Sequence, residues 1–196
     1  MESLLIEFFY LSMLISLLNS VQFIDIKEWR NHMVTCNETR VIRTNLVLPN
    51  DVNSHNTLFG GKLMNDLDII GSISAMKFCR SSIVTASTDS VDFLHPITMK
   101  DSVAFESYVT WTGTSSFEVF VKVTAENLRT GEEKIAATAF LTFVALDQDG
   151  NLVKVPQIVP ETEEEKFLYQ GGEERAKIRK NRRLKSKELA DFFYKK

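Results

Sequence analysis

The chain has 196 residues, of which 25% are charged and 44% apolar, with a formal net charge of -3. This is the composition of a soluble globular protein at a length of one domain plus an extra segment, and the small negative charge gives no reason to expect nucleic acid as a partner. Two cysteines, Cys36 and Cys79, and three scattered histidines, His32, His55 and His95, match no metal-ligand spacing, so no metal or cofactor is expected and a reducing, cytoplasmic setting is.

Residues 3–24, SLLIEFFYLSMLISLLNSVQFI, are mostly apolar and broken by Glu7. The run is long enough to cross a bilayer but lacks the basic start and small-residue cleavage site of a secretory signal. A membrane anchor, a helix packed on the protein or a partner, and an extension upstream of a native start at Met33 all remain open. The last is the expectation, because the pattern of a complete fold begins near Asn37. Residues 1–36 are therefore set apart as an apolar extension, with membrane contact expected only if that run is native.

The remaining elements follow in simple order. TRVIRTNLVLPND reads as a strand ended by Pro49-Asn50-Asp51. From Gly61, apolar residues at Leu63, Met64, Leu67, Ile70, Ile73 and Met76 are spaced in the manner of an amphipathic helix ending near Cys79-Arg80. SIVTASTDSVDFLHPI predicts a strand. DSVAFESYVTWTGTSSFEVFVKVTAEN predicts two, split at Thr112-Gly113-Thr114. The nearly continuous apolar run IAATAFLTFVAL predicts another. One helix and five antiparallel strands bury their apolar faces if the sheet curls around the helix, giving an α+β domain over residues 37–160. Residues 161–196 form a charged helical tail, which holds 11 of the 23 Lys and Arg. Opposite charges at i,i+4 spacing support a helix from Glu173 to Phe193. Its bland reading is a solvated helix; its functional one brings Arg175, Lys177, Arg179 and Lys180 to phosphates or a neighbouring subunit.

The stretch HNTLFGGKLMNDLD holds the chemistry. Glycines at a helix start allow another backbone to approach and leave the first N–H groups unobstructed, a ready site for an oxyanion. Asp68 follows Gly61 by seven residues, about two turns down the same face.

NDVNSHNTLFGGKLMNDLD, IVTASTDSVDFLHPI, TGTSSFEVFVKV and FLTFVALDQDG, in this order, resemble the hotdog-fold acyl-CoA thioesterases, in the branch of bacterial acyl-CoA hydrolases related to brain acyl-CoA hydrolase. The resemblance runs from about Thr39 to Pro160. It implies a hotdog fold in which two protomers join their sheets, with further assembly into trimers of dimers. It implies hydrolysis of fatty acyl-CoA to free acid and coenzyme A, with coenzyme A as part of the substrate rather than a cofactor. The family's catalytic positions fall on Asn53, Asp68 and Thr85, the Asn and Asp of one site coming from opposite protomers. Asp68 suits a general base toward water or a direct nucleophile; the Asn53 amide and the Gly61 N–H suit the carbonyl oxygen; Thr85 suits orienting Asp68 or water. Candidate substrate-binding residues are His55, Thr57, Phe59 and Gly60 around the glycines and Thr114, Ser115 and Ser116 along the pantetheine and phosphate arm. Relatives place Arg-Ser-Ser where this chain has Thr-Ser-Ser, which puts a cationic phosphate contact there in doubt.

The residue types also carry other readings. Asn53 suits a turn after Pro49, Thr85 any strand, and Gly113 to Ser116 any hairpin. Asp89 and Asp92 alternate along one strand and suit the dimer seam, although the part played by Asp92 in the family block is structural. Two functional alternatives stand beside the hydrolase: a non-catalytic acyl-CoA-sensing module, which has no need of Asp68, and a hotdog-fold hydroxyacyl-thioester dehydratase, which would need His55 as base.

Overall fold

The computed structural model describes residues 29–194. The apolar run at residues 3–24, and every expectation that rests on it, lies outside the described residues. Strand β1 (Met33–Thr35) leads into a short helix α1 (Cys36–Thr39), β2 (Val41–Leu46), a 3-10 turn at Pro49–Asp51, and the long helix α2 (Gly60–Cys79). Then follow β3 (Ser82–Phe93), β4 (Asp101–Thr112), β5 (Ser116–Asn127), β6 (Glu133–Leu146), β7 (Gln157–Val159), α3 (Glu163–Gln170) and α4 (Gly172–Tyr194). The main sheet has the order β2-β4-β5-β6-β3 with every neighbouring pair antiparallel, the expected five strands around one helix.

Helix α2 ends where expected, at Arg80 in the left-handed conformation (φ 51). Its inward face is Leu63, Leu67, Ile70 and Phe78, all buried. Phe78 packs on Phe117 of β5 with ring centroids 4.9 Å apart, and Phe117 stacks on Phe143 of β6 at 6.1 Å. Burying each such side chain contributes about 1.5–3 kcal/mol. The periodicity over-assigned this face. Ile73 (38% exposed) and Met76 (49%) share a step-of-four-and-three stripe with Ile69 (42%) that the single chain leaves open. The physical reason is that 3.6-residue spacing marks an apolar stripe but not what covers it.

β6 is nearly all apolar because both of its faces are covered. Its other face, with those of β4 and β5, carries Tyr108, Phe120 and Phe140 in edge and tilted contact and is roofed by the C-terminal helices. Tyr108 donates to Glu164 of α3 at 2.7 Å, and Arg175 of α4 lies 4.4 Å over the Phe140 ring. Gly172 starts α4 against the indole of Trp111, where a Cβ would fall 2.3 Å from the ring. The charged tail is thus a packed layer in its first half rather than a solvated helix.

A small parallel pair, β1 with β7, went unseen in the sequence because each strand has only three residues. It buries Val34 and Ile158 and carries chain order ahead of Asn37: Cys36 is in the core, and the Trp29 indole donates to Phe78 O at 2.8 Å. Thr35 and Glu38 close a capping box at α1, and Thr162 and Glu165 another at α3. Arg40 joins the two ends by donating to Glu165 at 2.5 Å and to Glu106. Among the described residues, no helix is long and apolar enough to cross a membrane.

Candidate active site

Helix α2 has no side-chain cap at Phe59, and its first intrahelical bond runs from Leu63 N–H to Phe59 O at 3.0 Å. The amides of Gly60, Gly61 and Lys62 therefore have no intrahelical acceptor, and the positive end of the helix dipole lies on them. The sequence leads to the expectation that the glycines admit another backbone. Instead the ring of Phe59 folds over Gly61, where a Cβ would lie 2.5 Å from Cε1, and Phe93 flanks Gly60, where a Cβ would lie 3.7 Å from Cζ. The close approach is aromatic.

Asp68 sits on α2, half-buried, two turns beyond the glycines. Its Oδ1 accepts a hydrogen bond from Thr85 Oγ1 of β3 at 2.9 Å. β3 is an edge of the sheet, so the pair lies at the border of the protomer, beside the open stripe of Ile69, Ile73 and Met76. A threonine hydroxyl donating to one carboxylate oxygen sets the orientation of the carboxylate and leaves the second oxygen for another hydrogen-bond donor.

Asn53 organises the loop before α2. Its Oδ1 accepts from His55 N–H at 2.9 Å and Thr57 N–H at 3.3 Å, and its Nδ2 donates to Thr57 Oγ1 at 3.0 Å. The turn reading of Asn53 is therefore correct as local structure. Its second amide hydrogen has no partner among the described residues. Asn53, Thr57, Gly60, Leu63, Phe93 and His95 border a cleft of about 310 Å³. In the sequence His95 is weighed only as a metal ligand and not among the expected site residues; its Nδ1 lies 2.9 Å from Ile135 O, and the signal for it is its place in FLHPI.

The structure thus makes two groups of the expected residues. Asp68 and Thr85 meet; Asn53, Thr57, Gly60 and the exposed Phe59 gather around the helix start. Among the described residues no hydrogen bond joins the groups, and Asp68 does not line the Asn53 cleft. His55 is exposed on the turn and does not line the cleft either. Thr114, Ser115 and Ser116 form the β4–β5 hairpin, their carbonyls accepting from Val155, Ala145 and Gly113 at 3.0, 3.0 and 2.8 Å. The Ser116 residue borders a different cleft, under α4.

The tail arginines are engaged elsewhere than expected. Arg175 binds Glu118, which is 0% exposed, through Nε and Nη2 at 2.8–3.1 Å. Arg179 reaches Asp89 at 2.8 Å, and Lys177 pairs with Glu173 on its own helix. Arg175 and Arg179 are therefore neutralised on the sheet. Asp89 accepts from Thr142, Arg179 and Arg182, so it anchors α4. The sequence signal for Glu118 was a charge inside the apolar run SFEVFV. Among the described residues no group of three or more His, Cys, Asp or Glu is arranged to hold a metal.

An antiparallel five-stranded sheet curled around one long helix is the hotdog architecture, and likeness to known proteins puts this domain among the thioesterases. Residues 55–132 match the thioesterase superfamily. The uncharacterized acyl-CoA thioester hydrolase YkhA of Bacillus subtilis is 61% identical over 156 residues, covering 80% of this chain and 91% of that protein. The acyl-CoA hydrolase of Staphylococcus aureus, solved with butyryl coenzyme A, coenzyme A and coenzyme A disulfide, superposes with a TM-score of 0.80 at 40% identity, covering 83% of this chain and 99% of that one. It has also been solved with alanine at an Asn, an Asp and a Thr that follow one another at separations of fifteen and seventeen residues. A hexameric acyl-CoA thioesterase superposes with a TM-score of 0.75 at 45% identity, covering 77% of this chain and 97% of that one. The chain belongs to the thioesterase superfamily, in its hotdog-fold acyl-CoA hydrolase branch.

Proposed function

We propose that the chain hydrolyses fatty acyl-CoA thioesters to free acid and coenzyme A, with Asp68 as the reacting carboxylate. The observation that carries this is the Thr85–Asp68 hydrogen bond at the protomer border. The separations Asn53–Asp68 and Asp68–Thr85 equal those of the three residues replaced in the Staphylococcus aureus enzyme, which supports the same three positions here. Asp68 takes a proton from water as it attacks the carbonyl carbon. The oxygen of the tetrahedral intermediate is held by the Gly61 N–H and the free Asn53 amide hydrogen. The C–S bond then breaks, and coenzyme A leaves as a thiolate without a strong general acid.

Asn53 and Asp68 do not meet within one chain, so the complete site draws Asn53 from a second protomer. β3 is the edge beside Asp68, and its open ladder with the Ile69–Ile73–Met76 stripe is the surface that a second sheet would extend. Three such dimers give a hexamer, in keeping with the hexameric relative. The catalytic unit is residues 37–160, with β1 and the C-terminal helices packed onto it, and the setting is cytoplasmic. Thr57, Phe59 and Gly60 border the acyl path, and His55 the solvent end.

The test is thiol release across a series of acyl-CoA chain lengths with wild type and Asp68→Asn. Loss of turnover at all lengths supports the assignment; near wild-type release overturns it. Single turnover in ¹⁸O-labelled water separates base from nucleophile, since only a nucleophilic Asp68 acquires the label.

A further inference from the structure

Side chains alternate along a strand, so residues two apart face the same way. β3 breaks this rule beside Asp68. Thr85 Oγ1 turns inward to Asp68 on α2, whereas Ser87 Oγ, two residues on, turns outward and accepts from Arg182 Nη2 of α4 at 2.5 Å. The pairing with β6 shows the cause. Thr85 lies opposite Phe143, which stacks on Phe117 inside the sheet, and Ser87 lies opposite the adjacent residue of β6, Thr142. Ala86 is therefore an extra residue, and a second register shift between Thr88 and Ser90 makes Asp89 another. Bulges of this kind re-aim side chains and leave the extra residue outside the hydrogen-bond ladder.

Helix α4 holds the bulged segment from the outer side. Arg182 Nη1 donates to Asp89 O at 2.6 Å, and Arg182 Nη2 donates to Asp89 Oδ1 as well as to Ser87. Asp89 Oδ2 accepts from Arg179 at 2.8 Å and from Thr142 Oγ1 of β6 at 2.6 Å. One guanidinium thus spans Ser87 and Asp89, and the Asp89 carboxylate ties the same point to β6. With Ser87 and Asp89 fixed on the outer side, an unbulged strand would turn Thr85 outward too, away from Asp68.

We infer that Asp89 and Arg182 are positioning residues for hydrolysis: they lock the bulge at Ala86, and the bulge turns the Thr85 hydroxyl to Asp68. The inference rests on the reading of Asp68 as the reacting carboxylate. It gives the C-terminal helix a part in the chemistry without contact to the reacting atoms.

A double-mutant cycle with Thr85 tests it, with kcat read at saturating acyl-CoA by thiol release. Asp89→Asn is nearly isosteric and should lower kcat about tenfold, as Thr85→Val does. In the Thr85→Val background, Asp89→Asn should lower kcat by less than about twofold further, because both act through one hydroxyl. Arg182→Ala, at a partly exposed position that folding tolerates, repeats the cycle. Glu118→Gln is the control: it loosens α4 from β5 through Arg175 and leaves the Arg182 contacts to β3 in place, so kcat should stay within about twofold of wild type. Unchanged kcat in Asp89→Asn and Arg182→Ala, additive losses with Thr85→Val, or an equal loss in Glu118→Gln overturns the inference. Threonine methyl NMR reads the same geometry without turnover. The Thr85 signal should move in Asp89→Asn and Arg182→Ala and stay in place in Glu118→Gln; a Thr85 signal unmoved in all three overturns the inference. A wild type that releases no thiol counts against the hydrolase reading alone, and the NMR comparison still decides whether α4 aims Thr85.

Discussion

Thr85 Oγ1 donates to Asp68 Oδ1 at 2.9 Å, joining the edge strand to the central helix across 17 residues of sequence. Asp68→Asn is expected to lower kcat by about a hundredfold, the scale of losing a general base. Thr85→Val keeps the shape and removes the hydrogen bond, so its loss is smaller, about tenfold. Turnover by thiol release checks both; a Thr85→Val enzyme as slow as Asp68→Asn would give Thr85 more than an orienting part.

Asn53 and Asp68 are in separate groups within one chain, and a shared site predicts complementation. Asn53→Ala alone should lose about 10–100-fold in kcat. Mixing it with Asp68→Asn protein under subunit exchange gives heterodimers with one intact site, and activity should return. If mass spectrometry shows exchange and the mixture stays inactive, the site is not shared.

Glu118 is buried and held by Thr110 at 3.0 Å, by Arg175 and by Arg179. Glu118→Ala strands Arg175 on the sheet face, while Arg179 keeps Asp89, and should cost about 3 kcal/mol. Glu118→Gln keeps the volume and should cost less. Urea unfolding midpoints measure both, and hydrogen exchange should show α4 opening first. A Glu118→Ala midpoint equal to that of wild type would mean that α4 is held by Asp89 and by the packing of Gly172 on Trp111.

Acid should loosen the C-terminal layer. Burial alone would raise the Glu165 carboxyl, but the amides of Thr162 and Glu161 and the Arg40 guanidinium outweigh it and hold it below the ordinary value of 4.5. The Tyr108 hydroxyl does the same for Glu164, against a smaller burial effect and with help from Lys122 and Arg40. The unfolded chain takes up these protons at a higher pH than the folded one. The stabilisation is therefore fully present above about 4.5 and lost as pH falls through the lower folded values. Melting temperatures recorded between about pH 7 and pH 3 should fall in wild type and fall less steeply in Glu165→Gln. Parallel curves would show that the Arg40–Glu165 link carries no pH-dependent stability.

The thiol of Cys36 is pushed up to about 12, first by burial and then by the charge of Glu165. In the native protein it should resist a thiol-reactive dye at neutral pH and react only on unfolding, since the thiolate is the reactive form. Labelling of native Cys36 at the rate of a free thiol would place it outside the core.

How much of this was legible in the sequence depended on how local the signal was. The period of Leu63, Leu67 and Ile70 and the alternation around it determined one helix and five strands, because a side chain's direction follows from its own backbone. The ordered blocks from Asn50 to Gly150 also determined the family, and with it Asp68 as the candidate carboxylate. Three matters were left to tertiary structure. Whether Ile73 and Met76 are core or surface depends on what the sheet covers. The destination of Arg175 and Arg179 depends on Glu118 and Asp89, 57 and 90 residues away. That Asn53 and Asp68 stay apart in one chain depends on the path of the loop between Pro49 and Gly60. The reason is the same in each case: periodicity reports which way a residue faces, whereas charge pairing and site assembly depend on which distant segment faces it, and that is decided only when the strands are in register.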